Sequence, residues 1–481
     1  MKIRVVSPWL GAGILAVSLA TLVDGQAQLD PALLGKPPVD AWPTHHGDYS
    51  GRHYSTLNQI NQSNVKSLAL AWSYRANTGE QGAISGGVVA KALPITLGAG
   101  AATGGLLKAT PLFVNGVLYL TSPDHAWAID AKTGREIWHF DMAPESGWEG
   151  SFVTATGDGV RLDYRDVAAE KAALPLNKNA WQTGGGSALT TPAIDPELGL
   201  LYFGTGSPSP QLEDRSRPGD NLYTSSLVAL EIATGKLRWY YQQVPHDLWG
   251  YEVSCPAVLF DLPYQGRTVK AVGEAGKTGW FYVHDRVTGE FLFKSEAFIP
   301  QENMFKRPTP EGIKITPGKW GGASWGPASY DAGRGIVYVT ALHAPLRYAV
   351  KTIPAEGGKP EIRYSTTEPS GDPNWGTLTA IDLRNGGRIQ WQQKLDTPQV
   401  GGALATAGGV VFTGEGNGLL KAFDADTGTM LWKYECPAGV NAPPVAYEID
   451  GVQYVAVAVG GNSLFRFKTG DTIMAFAVPA K

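Results

Sequence analysis

Cysteine is nearly missing from this chain. Cys255 and Cys436 are the two present in 481 residues, which excludes a CxxCH haem attachment, a zinc knuckle and a disulfide-dense scaffold. The two would bridge only if their Cα atoms came within about 7 Å, and a pair of buried free thiols is the preferred reading. Charge is also scarce, at 17% of residues, and balanced: 40 Lys+Arg against 44 Asp+Glu give a net −4 with no basic block. That pattern excludes a nucleic-acid footprint. Long apolar runs are lacking too. Residues 9–23 form the longest, short of the roughly 18 residues a membrane span needs, so no membrane span is expected.

The chain is rich in turn formers and rings. Its 60 Gly and 33 Pro make about 19% of residues against roughly 12% on average, beside 15 Trp, 19 Tyr and 15 Phe. Disorder and collagen are excluded, and the core must be large and aromatic. Lys2 and Arg4, the apolar run 9–23 and then Gly25-Gln26-Ala27 have the order of an export signal cut near Ala27. Residues 1–27 are therefore read as a signal peptide and 28–481 as one exported, periplasmic domain; an uncleaved anchor is the alternative.

Five segments share a pattern: an acid ends an apolar strand, a Gly follows four residues on, and a large aromatic four residues after that. They run from Asp130 to Trp138, Glu231 to Trp239, Asp285 to Phe293, Asp382 to Trp391 with one residue inserted, and Asp424 to Trp432. The acid and Thr cap a tight turn, Gly supplies a positive φ, and the aromatic is buried between neighbouring sheets. One unit cannot bury its own faces, so the units must stack. An all-β fold follows, a β-propeller rather than the rival two-sheet sandwich. The early strand at 68–74 and the last strand at 472–477 fit a blade completed by both termini, and the count is six blades.

The strings Arg217-Pro218-Gly219-Asp220-Asn221, Pro245-His246-Asp247-Leu248-Trp249, Gly276-Lys277-Thr278-Gly279-Trp280 and Gly401-Gly402-Ala403-Leu404-Ala405-Thr406 resemble the pyrroloquinoline quinone (PQQ) dependent alcohol dehydrogenases. So does the tail from Gly439-Val440-Asn441 to Gly460-Gly461-Asn462. The resemblance implies an eight-bladed propeller with PQQ on its axis beside calcium or a lanthanide. It also implies an aspartate base, an alcohol or sugar substrate and a cytochrome as electron acceptor. The chemistry of such a site is the cofactor's; the protein supplies stacking, metal ligands, a base and a cation.

Position by position, the resemblance is incomplete. Lys108 stands where the family has an acid that hydrogen-bonds the cofactor, and the family's vicinal cysteine pair cannot form. In Gly184-Gly185-Gly186-Ser187-Ala188-Leu189 the stacking tryptophan is replaced by Leu189, with Ser187 beside it. Ser207 takes the place of a metal-ligand Asn and is a poorer ligand for a hard cation. Gly250 sits where the catalytic Asp belongs, while Glu252 occupies the extra acid position of lanthanide-using relatives and Asp247 is kept. Lys277 matches the cation beside the quinone oxygens, and Asn374-Trp375 resembles a pair at the quinone edge, inter-blade packing being an equal reading. The chain also runs from Trp138 to Gly184 where the family has two more repeats, consistent with a loss of two blades.

Other strings carry less. Gly322-Ala323-Ser324-Trp325-Gly326 matches G-x-S-x-G without the strand-to-helix setting of a nucleophile elbow, so it is read as a turn. His246 beside Asp247 is either a base pair or a turn that orients Trp249. The Gly/Ala-rich stretch 79–106 reads as a loop over the channel mouth. Two functions remain open: PQQ oxidation of an alcohol or sugar with Glu252 as substitute base, or a degenerate propeller that binds a ligand or runs new acid–base chemistry at Lys108, Glu252 and Lys277.

Overall fold

A computed structural model describes residues 34–37, 39, 41–75, 110, 112–114, 117–121, 126–127, 143–186, 188–231, 236–354 and 362–479. The leader 1–27, the first repeat from Asp130 to Trp138, the loop 79–106, Lys108 and Ser187 lie outside them.

Among the described residues, six antiparallel sheets follow one another along the chain. Sheet I holds Leu112–Val114, Val117–Thr121 and Ala126–Trp127. Sheet II holds Ala193–Asp195, Leu200–Gly204, Ser226–Glu231 and Leu237–Gln242. Sheet III runs Val258–Tyr264, Arg267–Ala275, Phe281–Asp285 and Phe291–Lys294. Sheet IV runs Ser329–Asp331, Ile336–His343, Trp375–Asp382 and Arg388–Leu395. Sheet V runs Ala403–Thr406, Val410–Gly414, Leu419–Asp424 and Met430–Glu435, with Tyr54–Ser55 added in parallel to its first strand.

Sheet VI is made from both ends of the chain. Val445–Ile449, Val452–Val459 and Thr472–Ala477 are completed by Ala69–Arg75, which pairs antiparallel with the last strand. This is the terminal closure expected of a propeller. One element was not legible beforehand: Ile313–Ile315, just ahead of sheet IV, joins Leu346–Ile353 and Ile362–Pro369, which lie between the second and third strands of sheet IV, in a separate three-stranded sheet.

The repeat motif explains how sheets stack. Asp285 Oδ1 accepts the N–H groups of Val287 (2.9 Å) and Thr288 (3.2 Å), closing the turn. Gly289 then takes φ +81°, and a Cβ there would lie 2.7 Å from the indole of Trp239 on the preceding sheet. Trp239 Nε1 donates to Arg286 O at 3.1 Å, and Tyr202 donates its hydroxyl to the same carbonyl at 3.0 Å. The lock recurs between sheets IV and V. Trp391 lies against Gly428 and donates to Ala425 O at 2.9 Å, joined there by the Tyr338 hydroxyl at 3.1 Å. Buried clusters sit at these interfaces, and the two cysteines belong to different ones: Cys255 with Phe260 and Val337, Cys436 with Phe412 and Val457. Both are free and buried.

A strap upstream of the sheets ties their first strands together. Tyr49 O accepts from Ile194 N, Ser50 O from Leu259 N, Arg52 O from Tyr330 N and Ser55 O from Ala407 N. His53 Nε2 lies 3.1 Å from Pro444 O. One short segment thus satisfies edge groups on sheets II to VI that would otherwise stay open. Its three histidines are enclosed with Trp42, His53 meeting that ring edge-on at 5.2 Å and His45 meeting His46 at 4.7 Å. Burial lowers the pKa of His45 to about 4 and of His53 to about 3, and places His46 well below the ordinary value.

Two outcomes are expected. Trp391→Ala should cost roughly 3–5 kcal/mol and Trp391→Phe, which keeps a ring but loses the N–H, roughly 1 kcal/mol, read by denaturant unfolding. The histidines set an acid limit. Their folded values lie below the ordinary 6.5, so protons bind the unfolded chain first. Their contribution is complete above pH 6.5 and is lost as pH falls toward 4 and then 3, at roughly 1.4 kcal/mol per pH unit for each ring. Urea midpoints should fall on acidification through this range, less steeply in His53→Gln; equal slopes for the two proteins would overturn this account.

Candidate functional site

The turn from His246 to Glu252 leaves the last strand of sheet II and is held by its own side chains. Asp247 Oδ1 accepts from Trp249 N (2.8 Å) and Gly250 N (3.0 Å), and Oδ2 from Tyr251 N (2.8 Å). The fully buried Arg217 donates to Asp247 O at 2.7 Å, to Asn221 Oδ1 at 2.6 Å and to Pro210 O at 3.0 Å. Trp249 is also sealed in, donating Nε1 to Lys306 O at 2.9 Å. Burial raises the Asp247 pKa, the backbone donors opposing it. His246 Nδ1 lies 2.7 Å from Gly219 O, and burial, with Arg217 and Arg165 nearby, lowers its pKa. The two residues clamp a turn; they do not form a base pair.

That turn presents Glu252 to Lys277. Glu252 Oε1 lies 2.7 Å from Lys277 Nζ, the lysine side chain 1% exposed and the glutamate 15%. Lys277 also donates to Lys319 O at 2.9 Å and Gly250 O at 3.4 Å. Ser207 Oγ donates to Glu252 Oε2 at 2.7 Å and lies 3.2 Å from Asp247 Oδ2, while Gln211 Nε2 donates to Ser207 at 3.2 Å. Four sequence-derived candidates, Ser207, Asp247, Glu252 and Lys277, are thus brought together. Beside them Lys319 has its pKa lowered by burial and by Lys277. Near Lys277, Glu274 is buried; its Oε2 accepts from Gln243 Nε2 at 2.5 Å, whereas its Oε1 and Gln243 Oε1 lack partners. Burial pushes the Glu274 carboxyl up to about 8, and a proton on Oε1 turns one of two facing acceptors into a donor.

Aromatic rings cover the ion pair. Lys277 Nζ lies 5.4 Å from the centre of Trp325, which is 37% exposed and holds φ +61°. A bulky residue in that left-handed region is strained and belongs where surroundings over-determine it. Trp320 stands 6.4 Å from Trp325 and 6.4 Å from Phe465, which stacks on Phe467. Sequence reasoning missed Trp325, although the Gly322–Gly326 turn that carries it was identified as a turn. Trp375 is placed elsewhere: its ring stacks on His343 at 4.4 Å, with Lys394 Nζ 4.6 Å from its centre. Leu189 is 38% exposed, its N–H bonded to Gly204 O.

This propeller, with its repeated acid–Gly–aromatic turns and a carboxylate from an inter-sheet turn set against a lysine in the hairpin of sheet III, is of the quinoprotein dehydrogenase class. The chain belongs to the family described as glucose/ethanol/alcohol dehydrogenase, beta-propeller domain (PQQ), which it matches over residues 42–163, 152–303 and 294–455. It is 30% identical to the quinohemoprotein alcohol dehydrogenase of Comamonas testosteroni over 88% of this chain and 73% of that protein. With the quinohemoprotein alcohol dehydrogenase ADH-IIG of Pseudomonas putida it shares 28% identity over 97% of this chain and 78% of the other. The first alignment runs over 547 positions, more than the 481 residues of this chain, so the relative carries internal segments without a counterpart here. The crystal structure of the Comamonas testosteroni enzyme superposes with a TM-score of 0.70 at 25% identity, covering 94% of this chain and 83% of that one. A europium-containing methanol dehydrogenase shares the fold, with a TM-score of 0.65 at 22% identity over 93% and 99% of the two chains.

The residues present do not fit the metal that accompanies PQQ in this family. A hard cation needs six or more oxygen donors. Here Asp247 is occupied by three backbone N–H groups and Glu252 by an ammonium and a hydroxyl. Gly250 has no donor and no room for one, since a Cβ there would lie 2.9 Å from both Gln211 Nε2 and Lys319 Cβ. Among the described residues no group of three or more His, Cys, Asp or Glu is arranged to hold a metal ion.

Gly250→Asp should therefore destabilise by roughly 1–3 kcal/mol, because Gly250 holds φ +85° and an L side chain is strained there. In a double-mutant cycle, Glu252→Gln and Lys277→Met should couple by roughly 0.5–3 kcal/mol, each single change costing more than its share of the double. Additive costs would show that the ion pair contributes nothing.

Proposed function

We propose that the face carrying Glu252, Lys277 and Trp325 binds a small hydroxylated molecule, an alcohol or a sugar, and does so without the metal–quinone couple of its relatives. The observation that carries this reading is the Glu252–Lys277 pair at 2.7 Å, partly open to solvent on the carboxylate side and covered by a half-exposed tryptophan. Glu252 offers an acceptor for a ligand hydroxyl, Lys277 holds that carboxylate in place through their contact, and the rings of Trp325 and Trp320 offer apolar faces for the carbon skeleton. The leader-like segment 1–27 supports a periplasmic setting. The named relatives are alcohol dehydrogenases, which supports the substrate class.

A second reading keeps the relatives' oxidoreductase activity, with PQQ bound and a cytochrome taking the electrons. What favours it is the pair of ammonium groups, Lys277 and Lys319, on one floor, which suits a carboxylated quinone. The experiment is a titration of the purified protein with PQQ in the presence of Ca²⁺ or La³⁺, followed by dye reduction with a panel of alcohols and sugars. Tryptophan fluorescence is read on the same panel without quinone. The proposal expects no quinone binding at micromolar concentration, no dye reduction, and a fluorescence change with alcohol or sugar that Glu252→Gln abolishes. Tight quinone binding with turnover would sink it and establish the second reading.

A further inference from the structure

A second pocket lies behind the turn that carries Glu252. It encloses about 310 Å³ and is walled by Arg165 and Glu170 at the helix α1 (Val167–Ala173), by Asp214, and by Arg307 and Arg363. His246 and Leu248 line it as well, whereas Asp247 between them turns toward Ser207. Nothing in the axial cluster reaches into it, so its chemistry is separate.

Its charges are already matched. Arg165 pairs with Glu170 at 2.6 Å and with Asp220 at 2.5 Å, its side chain fully buried. Arg307 pairs with Asp214, and Arg363 lies 3.7 Å from the same carboxylate. An incoming anion would have to displace one of these carboxylates and would face the others, so these three arginines do not make an anion site here. What remains is one unpartnered donor and one unpartnered acceptor on adjacent residues, Arg307 Nε and Asp214 Oδ1. Asp214 is 10% exposed. A buried charged group left without its hydrogen bond is costly, and a hydroxyl, which accepts and donates at once, satisfies both. Leu248, Pro218 and Ala169 add apolar wall, suited to the C–H face of a ring. The volume is at the lower end for ligand sites.

The geometry points to a binding site for a neutral polyhydroxylated ligand, a monosaccharide or polyol, between Arg307 and Asp214. A hydroxyl donates to Asp214 Oδ1 and accepts from Arg307 Nε, while α1 closes one side.

The test is saturation-transfer NMR with D-glucose and with sorbitol on the full-length protein, in three variants. Ala169→Trp fills the pocket from an exposed helix position and leaves the core alone. Arg307→Lys keeps the cation beside Asp214 but removes the Nε donor. Glu252→Gln changes only the axial cluster. With Glu252→Gln in every protein compared, so that the axial face is silent, binding of glucose or sorbitol should persist, and adding Ala169→Trp or Arg307→Lys should weaken it roughly tenfold or more. Unchanged binding in both Ala169→Trp and Arg307→Lys, no saturation transfer with either probe, or displacement of glucose by inorganic phosphate would overturn the assignment.

Discussion

The contact between a tryptophan on one sheet and a glycine in the turn of the next is what the rest of this structure rests on. At Gly289 and Gly428 a Cβ would come within 2.7 and 2.6 Å of the neighbouring indole, so the turn must be bare for the ring to seat. The same turn offers a carbonyl, Arg286 O or Ala425 O, that accepts both an indole N–H and a tyrosine hydroxyl. Apolar burial and hydrogen bonding therefore coincide at one place, and each satisfies the polar edge of a ring that burial alone would leave costly. Because every lock joins consecutive sheets, the sheets are held face to face with their first strands brought toward one another.

That arrangement creates a problem at the inner edges, where first strands carry N–H groups with no further strand to meet. The strap 45–55 answers it by lending carbonyls to four sheets in succession and a histidine to a fifth. The solution needs close backbone approach in a dry interior, which is why the strap's histidines are held neutral. The loops between sheets are under no such demand. They are free to carry strained, polar and charged features, and it is there that Trp325 at positive φ, the Asp247 clamp and Glu252 are found, Glu252 meeting Lys277 from a hairpin turn within sheet III.

How much of this was legible in the sequence follows from the range of each interaction. The acid–Gly–aromatic repeat is local turn chemistry, so its existence, the all-β class and the terminal closure by 69–75 and 472–477 could be read directly. The convergence of Ser207, Asp247, Glu252 and Lys277 was legible through resemblance to a family, since no periodicity brings those four together. What escaped depends on how sheets are set around one another. Which tryptophan meets Lys277 is decided by the loop that enters sheet IV, and it is Trp325; Trp375 begins a strand opposite His343 and stacks there instead. The strap escaped because its hydrogen bonds are made by backbone carbonyls, which leave no mark on residue type.

Gly250 connects these levels. Asp247 binds the N–H groups of residues 249, 250 and 251 together, and that clamp holds Gly250 in a left-handed conformation with Gln211 and Lys319 packed against its Cα. A carboxylate at this position would therefore not be a simple addition to the site. A side chain there would have to open the clamp or move two neighbours, and the Glu252 carboxylate is already engaged by Lys277. Glu252 is thereby paired from within the chain, by the Lys277 ammonium at 2.7 Å and the Ser207 hydroxyl at 2.7 Å, which engages both of its oxygens where a hard cation would need them free.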